Sequence, residues 1–217
     1  MSKRYYWKKI RPILLSVTIC SIVFLLILAI TSNRTGNLTI FVDRASITKS
    51  LSLSESNTLS SPKGKLYGPA INEAWDTTED LLPQYASLID GDNSGQNYLA
   101  YTFYLFNSGV ETFDYSMEFK IENVSNNLDE AIRVRLYTND VLTTYAKKNA
   151  QGVPENATVA FESDKFIMTN TVTDFEPNEV TKYTIIIWVE SDDPDCTNDK
   201  IGGSITLSIA FGVLGIV

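Results

Sequence analysis

Alternation of apolar and polar side chains is the clearest pattern in this chain. From Phe113 to Glu122 every second residue is bulky and apolar, and the residues between them are Asp, Ser, Glu and Lys. A period of two is typical of a strand with one buried face and one solvated face. Similar patterns, or β-branched and aromatic runs, occur at 38–42, 98–106, 132–136, 166–172, 183–189 and 205–211.

These segments are separated by clusters of Asn, Gly, Pro and Asp, which favours an all-β protein built as an antiparallel β-sandwich. The segment 98–106 is apolar on both faces, and Asn107-Ser108-Gly109 follows it. We therefore expect a hairpin that pairs 98–106 antiparallel with the strand beginning at Phe113. Helical signals are short: 69–75 and 127–131 are expected to form one or two turns each, and the Ser-rich stretch 45–65 is expected to be a loop or an extended surface segment.

The N-terminal pattern differs from the rest. Residues 13–30 carry no charge and follow a head with five Lys and Arg and no acid. A helix of this length spans about 27 Å, close to one bilayer core, and the basic flank places the N-terminus inside the cell. The pattern also fits a secretory signal, and small residues at Ala29, Thr31 and Ser32 leave cleavage open.

This pattern predicts three regions. Residues 1–12 form a cytoplasmic head, 13–30 a transmembrane helix or signal sequence, and 31–217 one extracytoplasmic domain. The expected location is the cell membrane, as a single-pass protein, or the extracellular matrix after cleavage.

Composition narrows the class of partner. Thirteen of the eighteen Lys and Arg follow the apolar segment, against twenty-six Asp and Glu, so the exported part carries a net charge near −13. An acidic surface repels nucleic acid and anionic lipid. Cys20 lies inside the apolar segment and Cys196 lies outside it, so we expect the exported domain to fold without an internal disulfide.

The absence of histidine from the sequence bears on chemistry. It removes the commonest general base, the usual catalytic zinc ligands and every Ser-His or Cys-His pair. The sequence also lacks a Gly-x-Ser-x-Gly elbow and a phosphate-binding Gly-rich loop. We therefore expect no enzyme, although composition alone does not exclude a paired-carboxylate glycosidase.

Two acidic loops are candidate sites for a hard cation such as Ca²⁺. Asp90 and Asp92 begin a segment that resembles the first half of a calcium loop, but its twelfth position is Tyr101, where an EF-hand has Glu. The second loop supplies the carboxylates of Asp192, Asp193, Asp195 and Asp199. Such loops either hold a cation or are solvated turns, and no cofactor is otherwise expected.

Two long segments carry a family resemblance. Residues 97–109 (NYLAYTFYLFNSG) and 187–203 (IWVESDDPDCTNDKIGG), together with 37–44 (NLTIFVDR), resemble the TasA and camelysin family of exported Gram-positive proteins. The resemblance implies a jelly-roll-like sandwich that builds extracellular biofilm fibres. Camelysin is also described as a metalloendopeptidase, and a chain without histidine gives that activity no support.

Two functions follow as hypotheses. In the first, Leu38, Ile40 and Val42 form a strand that is donated to the sheet of a neighbouring subunit, so that the chain assembles head to tail with itself or with other matrix proteins. In the second, the sandwich is a membrane-tethered, adhesin-like binding module that does not polymerise. Tyr67, Trp75 and Tyr85 would then form part of a binding face, or would instead cap the core.

Overall fold

The computed structural model describes residues 21, 37–69 and 76–216. Gly36–Val217 forms one compact unit. The predicted cytoplasmic head, the apolar segment 13–30 and most of the predicted turn at 69–75 lie outside the described residues. Within the described ranges, no helix has the length and apolar character needed to span a bilayer.

The described part is mostly β-structure. An α-helix, α1 (Arg44–Thr48), is capped by the Asp43 side chain, which accepts a hydrogen bond from the Ser46 amide. Short 3-10 turns occur at Glu79–Leu81, Ala86–Leu88, Leu128–Glu130 and Asn198–Lys200. The strands are β1 (Leu38–Val42), β2 (Leu51–Ser54), β3 (Lys65–Gly68), β4 (Asp76–Thr77), β5 (Gly91–Asp92), β6 (Leu99–Asn107), β7 (Phe113–Val124), β8 (Ile132–Thr138), β9 (Val141–Ala146), β10 (Val159–Ala160), β11 (Phe166–Phe175), β12 (Val180–Glu190) and β13 (Ile205–Ile216).

These strands form two sheets. The five-stranded sheet has the order β11-β7-β13-β1-β3, and the larger sheet has the order β10-β9-β8-β12-β6-β2, with β4 beside β12 and β5 beside β6. Most neighbours are antiparallel, but β1–β13, β9–β10 and β4–β12 are parallel. The fold is therefore all-β with two mixed sheets, as the alternation predicted in outline.

Aromatic side chains from both sheets meet in the core. The ring centroid of Phe211 on β13 lies 5.5 Å from that of Tyr183 on β12 and 6.1 Å from that of Phe103 on β6. The hydroxyl groups of Tyr115 and Tyr183 are 3.0 Å apart, so these buried polar atoms satisfy one another. Burial of these rings between the sheets stabilises the fold.

The predicted hairpin between 98–106 and Phe113 is wrong. β6 lies in the larger sheet and β7 in the smaller one, so the link crosses from one sheet to the other. The buried Asn107 side chain fixes this crossing: its amide donates to the carbonyls of Glu111 and Phe175 at 2.8 and 3.2 Å. A segment apolar on both faces needs cover on both sides: Phe103 lies in the main core between the sheets, and Ala100 packs with Leu82 and Ala86 on the opposite face.

Gly109 has a different role from the one predicted, since it does not adopt a positive φ. A Cβ at this position would lie 3.0 Å from the Cβ of Ser50, so the residue permits a close approach of two chain segments.

The stretch 45–65 is also more ordered than expected, because it contains most of α1, all of β2 and the start of β3. Leu51 and Leu53 of β2 are fully buried, and two apolar residues were enough to place a short strand in the larger sheet. The turn predicted at 127–131 is confirmed by the 3-10 turn Leu128–Glu130.

Candidate functional site

The outer face of the larger sheet is unusual because it buries charged residues. On β8 the side chains of Val134 and Leu136 enter the main core, while Arg133 and Arg135 alternate with them on the other face. Both arginines are buried, at 6% and 8% exposure. A guanidinium is rarely buried unless it is paired, so partners are expected on this face.

A small apolar cluster organises part of the outer face. Trp188 of β12 packs there with Leu82, Ala86, Ala100 and Ile186, separately from the main core. Two of these residues, Leu82 and Ala86, come from the segment between β4 and β5, so this segment covers the sheet locally.

Trp188 is held by polar contacts as well. Its indole Nε1 donates to Glu190 at 2.9 Å, and the guanidinium of Arg135 lies over its ring at 5.2 Å. Arg135 also forms an ion pair with Glu79. The ring is therefore fixed as a buried platform, and its 1% exposure leaves no face for stacking on a ligand.

Beside this platform lies an open pocket of about 570 Å³. Its lining includes the carboxylates of Glu79, Asp80, Glu155, Glu190, Asp192 and Asp193, with the single guanidinium of Arg133. The volume is in the range of small-ligand sites. The excess of carboxylates favours a cation or a basic group over an anion.

Arg133 lies at the centre of a cluster of carboxylates. It pairs with Asp193, whose side chain is fully buried, and its Nη2 lies 3.7 Å from Glu155 Oε2. Carboxylate oxygens of Glu155, Asp193 and Asp195 all lie within 4.8 Å of one another. Asp193 also orders the local turn, because its Oδ1 accepts the Asp195 amide at 2.8 Å.

The pKa of Glu155 is raised above its ordinary value of 4.5. Burial of the carboxyl is the main cause, and repulsion by Asp193 and Asp195 adds to it, while Arg133 acts in the opposite direction. Arg133 therefore offsets only part of the negative charge of this cluster, and a bound cation would relieve the remaining repulsion between the carboxylates.

The structure brings together some of the predicted acidic residues. Asp193 and Asp195 lie in the cluster, and the exposed Asp192 lines the pocket. Asp199 instead contacts Lys200 at 3.2 Å and Thr197, and it belongs neither to the cluster nor to the pocket lining. Glu155 was not predicted, because it lies far from the Asp192–Asp199 loop in sequence and only the fold brings it there.

The other predicted cation loop has a structural role. Asp90 accepts hydrogen bonds from the hydroxyl of Tyr104 at 2.6 Å and the amide of Asn57 at 3.0 Å. Asp92 accepts the Ser94 amide at 3.1 Å. Among the described residues, neither belongs to a group of acids close enough to share a metal ion.

The predicted assembly residues lie inside the chain's own sheet. Leu38, Ile40 and Val42 are all buried, and β1 pairs with β13 on one side and β3 on the other. Donation therefore requires β1 to leave its own slot and enter that of a neighbour. Of the three aromatic residues proposed for a binding face, Tyr67 and Tyr85 are exposed at 50% and 67%, and Trp75 lies outside the described residues.

Comparisons with known proteins do not assign the chain to a family. No protein-family model matches the chain, and no curated protein matches it. Two crystal structures of a β-glucosidase from Kluyveromyces marxianus are similar over 52% and 73% of this chain, at 13% and 10% identity, each with a TM-score of 0.25. The chain spans only 11% and 16% of those proteins, and a likeness this weak carries no inference about function.

Proposed function

We propose that this protein is an exported structural protein of the cell surface or biofilm matrix, which assembles into fibres by exchanging β1 between subunits. Export rests on the charge-free segment 13–30 after its basic head. The same segment is proposed either to anchor the chain as a single-pass helix or to be removed as a signal. The sandwich is proposed to be jelly-roll-like, and its partners are further copies or other matrix proteins.

The position of β1 is the observation that carries the assembly mechanism. It is the first strand of the compact unit, and it lies between β13 and the edge strand β3. A strand at the N-terminal end of the compact unit can leave its slot without threading the other strands through the sheet. Its parallel pairing with β13 also means that no tight turn joins the two strands.

Exchange is feasible because it conserves contacts. Leu38, Ile40 and Val42 fill the slot with fully or almost fully buried side chains, and each contributes about 1.5–3 kcal/mol by burial. A neighbour's β1 recovers the same contacts in the same slot, so exchange trades one set for an identical one. When each chain donates in one direction, the contact does not close and a filament results.

Electron microscopy of the purified full chain tests the proposal directly. We expect fibres whose growth depends on protein concentration, together with an N-terminus at Met1 for an anchored form or near Ser32 for a cleaved one. Particles that remain single at every concentration would contradict assembly.

The acidic pocket supports a second candidate, a membrane-tethered binding module that recognises a partner through a basic group. Its test is binding of a short oligolysine peptide by calorimetry, with an oligoglutamate peptide as the control. Binding that is lost when Asp80 and Asp192 are both changed to Asn, in a chain that never forms fibres, would favour this function over the first.

A further inference from the structure

The segment between β4 and β5 exposes several large apolar side chains close together in sequence. Leu81, Tyr85, Leu88 and Ile89, which we call the apolar patch, are exposed at 70%, 67%, 72% and 51%. In the part of the chain that the structure describes, fourteen large apolar side chains are exposed, and these four fall within nine consecutive residues. Single exposed apolar residues are common in proteins, whereas a concentration of them is typical of an interaction surface.

The segment separates its inward side chains from its outward ones. Leu82 and Ala86 face the larger sheet, where they pack with Trp188. Tyr85 and Leu88 are the two ends of one 3-10 turn, which is closed by the Leu88 amide donating to the Tyr85 carbonyl at 2.9 Å. Residues three apart lie on the same side of such a turn, so these two large side chains are presented together.

Polar contacts hold the apolar patch in place from beneath. The side-chain amide of Asn93 donates to the carbonyls of Ala86 and Ile89 at 3.2 and 3.1 Å. The hydroxyl of Thr102 on β6 donates to the same Ala86 carbonyl at 3.3 Å. A partner that binds here does not have to order the segment first, which favours binding.

The rim of the apolar patch is acidic. Asp80 directly precedes the patch, Asp90 directly follows it, and Asp92 lies two residues further on, all with exposed side chains. Their hydrogen bonds come from hydroxyl and backbone amide groups, which carry no charge. Within the described residues none of these three carboxylates forms an ion pair, whereas Glu79 is neutralised by Arg135. Negative charge therefore remains at both ends of the patch.

This charge indicates which partner fits. A second copy would bring its own acidic rim against this one, and anionic lipid would be repelled in the same way. A segment that carries Lys or Arg beside apolar side chains is instead attracted by the rim and buries the patch. Asp80 also lines the acidic pocket, so the negative charge continues from the rim into the pocket.

We propose that the apolar patch is a docking surface for a partner protein, through a segment in which apolar side chains are flanked by Lys or Arg. The apolar side chains of that segment cover Tyr85 and Leu88, and its basic side chains face Asp80 and Asp90. Docking here goes beyond fibre assembly and does not depend on exchange of β1. It gives the exported domain a means of holding a second, basic protein.

Binding of short peptides to the full chain in phosphatidylcholine nanodiscs tests this surface. The probe is a fluorescent Lys-Leu-Leu-Lys-Leu-Leu-Lys peptide, followed by anisotropy, with empty nanodiscs as the blank. We expect it to bind at least about tenfold more tightly than Glu-Leu-Leu-Glu-Leu-Leu-Glu, which reverses the charge, and Lys-Ser-Ser-Lys-Ser-Ser-Lys, which lacks apolar side chains. Equal affinity for the three peptides, or no binding of the first, would overturn the proposal.

Paired variants assign the binding to the patch. Tyr85→Ser with Leu88→Ser should raise the Kd of the first peptide at least about tenfold, because contacts with two large apolar side chains are lost. The matched control is Val110→Ser with Leu214→Ser, which removes two exposed apolar side chains elsewhere in the chain and should leave the Kd unchanged. Urea unfolding should be the same for both, since only exposed side chains change. An equal loss of affinity in the two variants would contradict the proposal.

Other occupants of the patch give different results. Dimers of the wild-type chain that dissociate in the Tyr85→Ser, Leu88→Ser variant would assign the patch to a second copy and overturn the proposal. A fluorophore on Leu88→Cys, in a Cys20→Ser, Cys196→Ser background, that is quenched by spin-labelled lipid of the nanodisc would assign the patch to the membrane and overturn it as well.

The same measurements separate this surface from the functions proposed above. Peptide binding that survives Tyr85→Ser with Leu88→Ser, but is lost when Asp80 and Asp192 are both changed to Asn, would assign recognition to the acidic pocket and overturn the docking proposal. Fibres from a wild-type chain that binds no peptide would overturn this inference alone and leave exchange of β1 intact.

Discussion

The two faces of the larger sheet are built from the same strands but differ in chemistry. On the inner face, Val134 and Ile187 belong to the same buried cluster as aromatic residues of the smaller sheet. On the outer face, the adjacent residues Arg133 and Trp188 line a pocket together with several carboxylates. Both faces are buried, so burial alone does not distinguish the part that stabilises the fold from the part that offers a site.

The apolar core and the charged pocket therefore lie on opposite faces of a single sheet. Apolar contacts on the inner face are insensitive to pH and need no specific partner. The outer face depends on charge balance, and its pocket keeps more carboxylates than cations. Substitutions on the inner face should therefore lower the free energy of unfolding. Substitutions on the outer face should range from strongly destabilising to neutral, according to how deeply the side chain is buried.

The largest effect is expected from Phe211→Ala. This ring is fully buried and contacts aromatic rings of the opposite sheet, so its loss should lower the free energy of unfolding by about 3–5 kcal/mol. Urea unfolding followed by fluorescence measures this. Leu214→Ala on the same strand, where the side chain is 59% exposed, is the control and should change stability by less than about 0.5 kcal/mol.

Arg133→Met should be the most damaging change on the outer face. It leaves the fully buried Asp193 carboxylate without its cation, and removal of one partner of a buried pair costs about 3 kcal/mol. Asp193→Asn in the same chain should recover part of the loss, because no buried charge then remains. A double variant that shows the full sum of the two single losses would argue against a direct pair.

Glu155→Gln, unlike Arg133→Met, should not lower the free energy of unfolding at neutral pH. The raised pKa of Glu155 means that its neutral form favours the folded state, so that contribution is complete below about pH 4.5 and is lost as the pH rises through the folded-state pKa. The variant should therefore be at least as stable as the wild type at pH 7, and any advantage should disappear near pH 4. Unfolding curves at the two pH values measure this, and a variant that is less stable at pH 7 alone would contradict the charge balance described.

Asp192→Asn should have the smallest effect on stability. Its side chain is exposed at the pocket, unlike that of its neighbour Asp193, so the free energy of unfolding should change by less than about 0.5 kcal/mol. A matched Asp193→Asn variant should be clearly destabilised, because Asp193 pairs with Arg133 and accepts the Asp195 amide. Similar unfolding midpoints for the two variants would mean that Asp193 supports the fold no more than the pocket-lining Asp192 does.

Alternation and β-branched or aromatic runs predicted the positions of the longer strands well. The bounds of β1 match the predicted 38–42, and β7, β8, β12 and β13 begin at or within three residues of their predicted starts. The partner of β6 was mispredicted, because a segment apolar on both faces has no preferred side in sequence. Its partners were decided by contacts far away along the chain, such as those between Asn107 and Phe175.

The candidate site was only half predictable. Asp193 and Asp195 were found by their density in one loop, whereas Glu155 stands in a loop with no neighbouring acid to mark it. Arg133 and Arg135 did carry a signal, since two arginines alternate with buried aliphatic residues on one strand. That pattern resembles a solvated face, and only the covering segments from β4 to β5 and from β9 to β10 make it a buried one.

A disulfide that locks β1 into its own sheet would prevent strand exchange and so tests it. Thr39 of β1 lies opposite Tyr67 of β3, and neither side chain is fully buried. In the Cys20→Ser, Cys196→Ser background, Thr39→Cys with Tyr67→Cys should close this bond, and the single Thr39→Cys variant is the control.

We expect the oxidised double variant to form no fibres under the electron microscope, and we expect a reductant to restore them to the level of the control. Fibres that grow equally from the locked and the reduced chain would contradict assembly by exchange of β1.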